Sequence, residues 1–270
     1  MRHAIVLLLL AALDAEAIVI RDDVPDREYR MADLDFPALA DLPGEGHGVL
    51  IAPHWVVTAA HAVDWQSAVT TVTLVGTPRA VRRIIVHPGY QAPPEAMVHA
   101  AIKSGDWNAF FAFLVASDDL ALIELAEPAN DIAPAPLFRG PALGREVRIL
   151  GRGATGNGIA GRPLHGPSRI ELRQGFNVIS LAEGRWIGYR FDPPPYAHPL
   201  EATTGSGDSG GPLLVKDDGE WQLAGIAAWG RAEVVGTEVR PGRYGETSYG
   251  VRLAHYADWI DSTMAAAGAD

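Results

Sequence analysis

Ser209 stands in the string GDSGGP at residues 207–212, an alcohol set between an acid and two glycines. A serine hydroxyl is a poor nucleophile at neutral pH, so the string carries chemistry only with a base, an orienting acid and an oxyanion site. The chain holds candidates for each. His61 follows a β-branched apolar run in VVTAAHAV, and Asp119 heads SDDLALIEL, giving the order His, Asp, Ser. In that arrangement His61 takes the proton of Ser209 and later hands it to the leaving group. Asp119 fixes the imidazole tautomer and stabilises its cationic form. The amides of Gly207 and Ser209 are the candidate oxyanion donors, and glycine at 207 fits because a Cβ would hinder that turn. The neighbouring Asp118 reads as an exposed turn or strand-edge acid and is the rival to Asp119.

The same residues also satisfy G-x-S-x-G, the nucleophile elbow of a different fold. That elbow needs a helix after the serine and the order Ser, acid, His. Here Pro212 and the strand-like LLVK follow Ser209, and His255 is the only later histidine, inside a predicted terminal helix. The elbow is rejected.

The elements that must position these groups are short and mostly β. GVLIAPHWVVTAAH, VTTVTLVG, AVRRIIVHP, LALIELA, VRILGRG and RIELRQGFNVI read as strands between Gly, Pro, Asn and Asp. PLLVKDDGEWQLAGIAAWG is a hairpin signal turning at Asp218-Gly219. Residues 93–117 are Ala-rich and apolar with helical spacing, predicting one or two short helices. Residues 253–268 predict an amphipathic helix with Leu253, Tyr256, Trp259 and Ile260 on one stripe. EPANDIAPAPLFRGPALG, with four prolines, reads as an extended linker between two β units.

The 270 residues suffice for one large domain or two small ones. Lys103 and Lys216 are the only lysines, and the net charge is -11, a surface that repels nucleic acid and anionic membranes. The start MRHAIVLLLLAALDAEA has a basic head, a short apolar run and Ala15-Glu16-Ala17 in the small-x-small pattern of a cleavage site. Residues 1–17 therefore read as a signal peptide, and the protein as secreted or periplasmic, free of the membrane after removal. There is no cysteine, which excludes disulfides and cysteine-held metal or iron–sulfur sites. The histidines His47, His54, His87, His99, His165, His198 and His255 match no metal-ligand spacing and read as surface or cap residues; no metal and no cofactor are expected.

TAAH at His61, DLALIEL, GDSGGP, GIAAWG at 225–230 and YADWI at 256–260, in this order, resemble the chymotrypsin/trypsin-like serine peptidases over nearly the whole mature chain. The resemblance implies an all-β fold of two six-stranded antiparallel barrels: an N-terminal barrel at 18–133 with a helical insertion at 93–117, a C-terminal barrel at 134–252, and a C-terminal helix at 253–270. It implies a monomeric serine endopeptidase acting on protein or peptide substrates through an acyl-enzyme. The alternative is a catalytically silent binding protein of the same fold. Register with the family's acid motif favours Asp119 over Asp118. Cleavage after Ala17 would expose Ile18, whose ammonium the family's pattern pairs with Asp208, with no separate zymogen step.

The resemblance further places Thr203 at the base of the substrate pocket, Trp229 and Gly230 on its wall and on the strand that pairs with substrate, and Ser248 near the opposite wall. An uncharged residue before the cut follows, although Glu246 keeps a basic preference open. Gly46 and Ala62 stand where many relatives carry a disulfide, and Gly205 at another usual cysteine. Ala228 replaces a serine that bonds the catalytic aspartate. The 93–117 insertion borders the cleft either as a lid or exosite, or as a surface elaboration, with Trp107, Phe110, Phe111 and Phe113 packing inward.

Overall fold

Alternation of apolar and polar residues, broken every few residues by glycine or proline, leaves this chain little choice but short paired strands. The computed structural model describes residues 18–64, 69–162 and 171–267. The expected signal peptide and His165 lie outside them.

Strand β1 (Val19–Ile20) comes first and β2 (Leu39–Asp41), β3 (His47–Ala52), β4 (Trp55–Thr58), β5 (Thr71–Leu74), β6 (Thr77–Val86) and β7 (Ala121–Leu125) follow. Strands β2 to β7 close a barrel in the order β2-β3-β4-β7-β6-β5. Strands β3, β4 and β7 are buried along consecutive residues, hence on both faces (Val49, Leu50, Val56, Val57, Leu122, Ile123 and Leu125), whereas β5 alternates, burying Val72 and Leu74. Burial of side chains of this size contributes about 1.5–3 kcal/mol each before entropy is subtracted. Helix α1 (Ala60–Asp64) follows β4, and helices α2 (Glu95–Ser104) and α3 (Asn108–Ala116) fill the predicted insertion.

The second half contains β8 (Glu146–Gly151), β9 (Gly156–Asn157), β10 (Arg173–Val178), β11 (Leu181–Glu183), β12 (Trp186–Arg190), β13 (Ala202–Thr203), β14 (Pro212–Asp217), β15 (Glu220–Arg231), β16 (Glu233–Val235), β17 (Glu238–Arg240) and β18 (Thr247–Arg252). Seven of them form an antiparallel sheet in the order β10-β8-β14-β15-β18-β12-β11. The expected second six-stranded barrel is thus a curled seven-stranded sheet. Across the gap between β10 and β12 a single bond stands in place of a ladder, Asn177 Nδ2 donating to the carbonyl of Arg190 at 2.9 Å. The β14–β15 hairpin turns where expected, with Asp218 and Gly219 both at positive φ, 46° and 86°.

Two further features bear on the site. Residues Val19 and Ile20, expected within the N-terminal barrel, pair with β13 and β9 of the second half. The proline-rich linker is extended and stitched on both sides, by Ala135 N to Leu50 O and Phe138 N to Leu223 O. A short 3₁₀ turn and helix α4 (Ala257–Ala267) close the chain, burying Leu253, Tyr256 and Ile260 with Trp259 beside them.

Candidate active site

Strand pairing alone delivers two of the three groups to one place. In the antiparallel β4–β7 pair Thr58 faces Ala121, so the end of β4 abuts the start of β7. His61 lies three residues past that end and Asp119 two before it. Ala59, Ala60 and Ala62 are fully or nearly buried, so α1 sits flush on the barrel and turns His61 outward. One Asp119 oxygen accepts the backbone N–H of His61 at 2.8 Å and the other lies 2.7 Å from Nδ1. The carboxylate thereby fixes both the position and the tautomer of the ring, with the Nδ1 proton on the Asp119 side.

The third group arrives from the other half. Gly210 N donates to Ala227 O and Ala227 N to Gly211 O, laying the 207–211 loop against β15. The carbonyl of Ser209 accepts His47 N of β3 at 2.7 Å, which bolts that loop to the first barrel. Gly210 sits under this bolt at φ +75°, and a Cβ there would overlap His47 O and Thr58 Oγ1. The result is a distance of 2.7 Å from His61 Nε2 to Ser209 Oγ. The structure therefore brings His61, Asp119 and Ser209 into one hydrogen-bonded line.

His61 keeps about a third of its side chain exposed, 33%, so the line opens to solvent. Burial pulls its pKa down, but the charge and hydrogen bond of Asp119 outweigh this and hold it above the usual histidine range. Beside Ser209, Gly207 takes φ +88°. Neither Gly207 N nor Ser209 N donates to a protein acceptor among the described residues. Two unspent N–H groups next to a nucleophile are what an oxyanion site requires.

Asp118 corrects the sequence reading. Far from being an exposed turn acid, it is largely buried and faces away from His61, accepting Arg185 Nε at 2.5 Å and Tyr256 OH at 2.7 Å. Burial pushes its carboxyl up, and the bonds from Tyr256 and Arg185 bring it net below the usual range. With Ala228 in place of a serine, Asp119 accepts only from His61 among the described hydrogen bonds.

Ile18 is wholly buried, and its N donates to Asp208 Oδ2 at 3.2 Å. Asp208 also accepts Gly205 N at 2.8 Å and Gly153 N at 2.7 Å. Burial still holds its carboxyl above the usual range. His47 is a second correction: expected at the surface, it is buried, with Nδ1 3.0 Å from Asp41, its Nε2 accepting Arg152 N at 3.1 Å and lying 4.0 Å from Asp208. Nothing in its sequence neighbourhood marks that burial; the tertiary approach of Asp208 creates it.

The residues expected to form the pocket assemble around hydroxyls. Thr203 and Ser248 are both fully buried and their oxygens lie 2.6 Å apart, with Thr204 Oγ1 donating to Ser248 at 3.1 Å. Glu246 leans on the wall, so that a Cβ at Gly230 would overlap its Oε1. Its other oxygen accepts Gly242 N at 2.5 Å. Burial raises the Glu246 carboxyl above its usual range, opposed by that N–H and by Arg162 nearby.

A closed six-stranded barrel and a curled antiparallel sheet, joined at a His–Asp–Ser line, define the chymotrypsin-like class of serine peptidases. The model of the trypsin-like peptidase domain matches residues 46–226, and the chain belongs to that family. It is 29% identical over 225 residues to transmembrane protease serine 11G of Mus musculus, covering 79% of this chain and 48% of that protein. Ovochymase of Halocynthia roretzi is 26% identical over 241 residues, 80% of this chain and 13% of its own length. Chymotrypsin-like elastase family member 3B of Homo sapiens is 28% identical over 231 residues, 81% of this chain and 77% of its own. The chain thus spans about half or less of the first two relatives and about three quarters of the third.

Proposed function

We propose that this protein is a secreted serine endopeptidase that uses His61, Asp119 and Ser209 as its catalytic triad. The single observation that carries the reading is the unbroken line of 2.7 Å contacts from Asp119 through His61 to Ser209 Oγ. In the proposed cycle Ser209 Oγ attacks the substrate carbonyl carbon while its proton passes to His61 Nε2. The carbonyl oxygen, now an alkoxide, is received by Gly207 N and Ser209 N. The C–N bond breaks as His61 Nε2 returns the proton to the departing amine, leaving the acyl group on Ser209. Water then attacks the ester with His61 again as base, releasing the acid and restoring the serine.

Substrates are proteins or peptides. The residue before the cut is small and uncharged, for two physical reasons: the base of the pocket is a set of hydroxyls, and Glu246 fills the space beside Gly230. Removal of residues 1–17 during export supplies the Ile18 ammonium, which pairs with Asp208. The neutral Ile18 amide leaves a buried Asp208 carboxyl displaced upward, and a cation in the same place would compensate that burial.

A fluorophosphonate probe tests the reading against the silent-homologue alternative. Ser209 is expected to be labelled, and labelling to disappear in Ser209→Ala and fall by orders of magnitude in His61→Ala. An unlabelled, folded protein would overturn the enzymatic reading.

A further inference from the structure

The insertion helices are not a decoration on the first barrel. Helix α3 reads NAFFAFLVA, yet none of its residues is buried. It meets the second half through aromatic side chains: Trp186 Nε1 donates to Val115 O at 2.9 Å, and Phe111 stacks on Trp229 with centroids 5.8 Å apart and planes at 30°. Tyr249 stacks on the same indole at 4.0 Å and 16°. With Tyr249 and Phe111 stacked on it and Trp186 packed edge-on at 5.5 Å and 77°, Trp229 is ringed by aromatic side chains that a guest side chain would have to displace.

The insertion also reaches past Trp229. Arg231 places its guanidinium 5.3 Å from the Phe111 ring centre and donates to Asn108 Oδ1 at 3.4 Å. At the tip, Gly105 caps α2 in the left-handed region at φ 72°, and a Cβ there would overlap the carbonyl oxygen of Gly236, in the turn between β16 and β17. Two backbones therefore touch across the end of β15. Along that end, Trp229, Gly230 and Arg231 pair with β18 on one side, and among the described residues no strand pairs with the other side.

This open edge begins beside Ser209, because the nucleophile loop is pinned to Ala227. On the peptidase reading the bond to be cut sits at Ser209, where the edge begins, so the residues preceding it run along the edge from Ala228 towards Arg231. One residue of substrate occupies one position of the edge in a β pairing, so about three fit before the roof is reached.

Resting on the peptidase reading above, we propose that the α2–α3 arm is a length gate on the acyl side of the cleft. Phe111 fills the aromatic subsite over Trp229, and the Gly105–Gly236 contact closes the far end of the edge. The gate disfavours bonds whose acyl side continues along the edge beyond about three residues, so an internal bond is cut well only where the preceding chain can turn away at Arg231.

A nested series of peptide amides tests this. The series keeps one residue before the cut and carries from two to six residues on the acyl side. Displacing a stacked, partly buried phenylalanine should lower kcat/KM about tenfold or more between the three- and six-residue members. In Phe111→Ala, and to a smaller degree in Asn108→Ala, the six-to-three ratio should climb back towards one. The ratio is insensitive to partial misfolding, which scales both members alike. A wild-type profile that is flat or rises with length overturns the gate, as does a ratio unchanged in Phe111→Ala. Fluorophosphonate labelling of Ser209 in the same preparation separates the two failures: a labelled enzyme with a rising profile has no gate, whereas an unlabelled one overturns the gate together with the chemistry it would control.

Discussion

Freeing or blocking the amino group of Ile18 should switch the 207–211 loop between ordered and disordered states. Asp208 is fully buried and already accepts two loop amides besides Ile18 N, so its carboxylate has been stripped of water at a cost that neutral donors only partly offset. Converting the amide to an ammonium adds a full charge 3.2 Å from Oδ2. Removing one partner of a buried ion pair costs about 3–5 kcal/mol. At about 1.4 kcal/mol per decade, the competent loop would lose two to three and a half orders of magnitude in population without that charge. The comparison is between protein beginning at Ile18 and the same protein with Ile18 acetylated or preceded by Ala17. Because the Ile18 side chain is retained in all three, packing of the apolar terminus is held constant. The assay is the rate of Ser209 modification by a fluorophosphonate, followed across pH. A free α-amino group titrates near about 8, and a neighbouring carboxylate raises that value. The sign follows: the ammonium's contribution is complete below about pH 8 and disappears as pH rises through the raised value. Equal labelling rates for the free and acetylated termini, or rates that do not fall at high pH, would refute the ion-pair argument.

The remaining predictions concern the triad and its support. The kcat/KM profile should rise with pH through a His61 pKa above 6.5, since the base acts when neutral. Asp119→Asn should remove that upward shift and lower kcat about 10⁴-fold, the magnitude known from this same class of enzymes. Asp118→Asn should leave the His61 titration in place and instead weaken the fold. Its carboxyl lies below the usual range, so its contribution is present above about pH 4 and is lost as pH falls through the depressed value; the stability gap between wild type and the variant, read by urea unfolding, should be widest above about pH 4 and shrink as pH falls below it. Gly210→Ala should cost about 2 kcal/mol or more by thermal or urea unfolding, because its Cβ meets the His47 carbonyl at φ +75°. Gly144→Ala, at φ +78° with open space around it, should cost only about 1 kcal/mol.

What could be read from the sequence was what neighbours in the chain decide. The β4 and β7 strings, the Asp218-Gly219 turn and the two insertion helices all depend on local periodicity and turn chemistry, and each formed where expected. His61, Asp119 and Ser209 were findable because each sits at the end of such a string. Asp118 was misread because Arg185 and Tyr256, which bond it, come from two distant turns. His47 was misread for the same reason, since Asp41, Arg152 and Asp208 converge on it only after both halves have folded. Residues 19 and 20 were expected with the N-terminal barrel, but their partners β9 and β13 lie far along the chain, and a two-residue strand carries no register signal of its own.

The absence of cysteine makes sense at the level of the same contacts. A Cβ built on Gly46 would lie 3.4 Å from Ala62 Cβ, close to the separation of about 3.8 Å that spans a disulfide. The place of the staple beside His61 is therefore kept, but it is closed by small residues packed together. Gly46 takes φ +93°, a conformation that a cysteine would resist, so the backbone has settled around the glycine. Holding the histidine and serine loops together falls instead to the bond from His47 N to Ser209 O, next to Gly46, and to the Thr58 hydroxyl that braces His47 O at 2.6 Å. A disulfide acts mainly by restricting the unfolded chain, whereas these bonds act in the folded state at the reacting centre. Losing the staple thus lowers overall stability more than it loosens the 2.7 Å contact between His61 and Ser209, which is why a cysteine-free chain can keep its site in register.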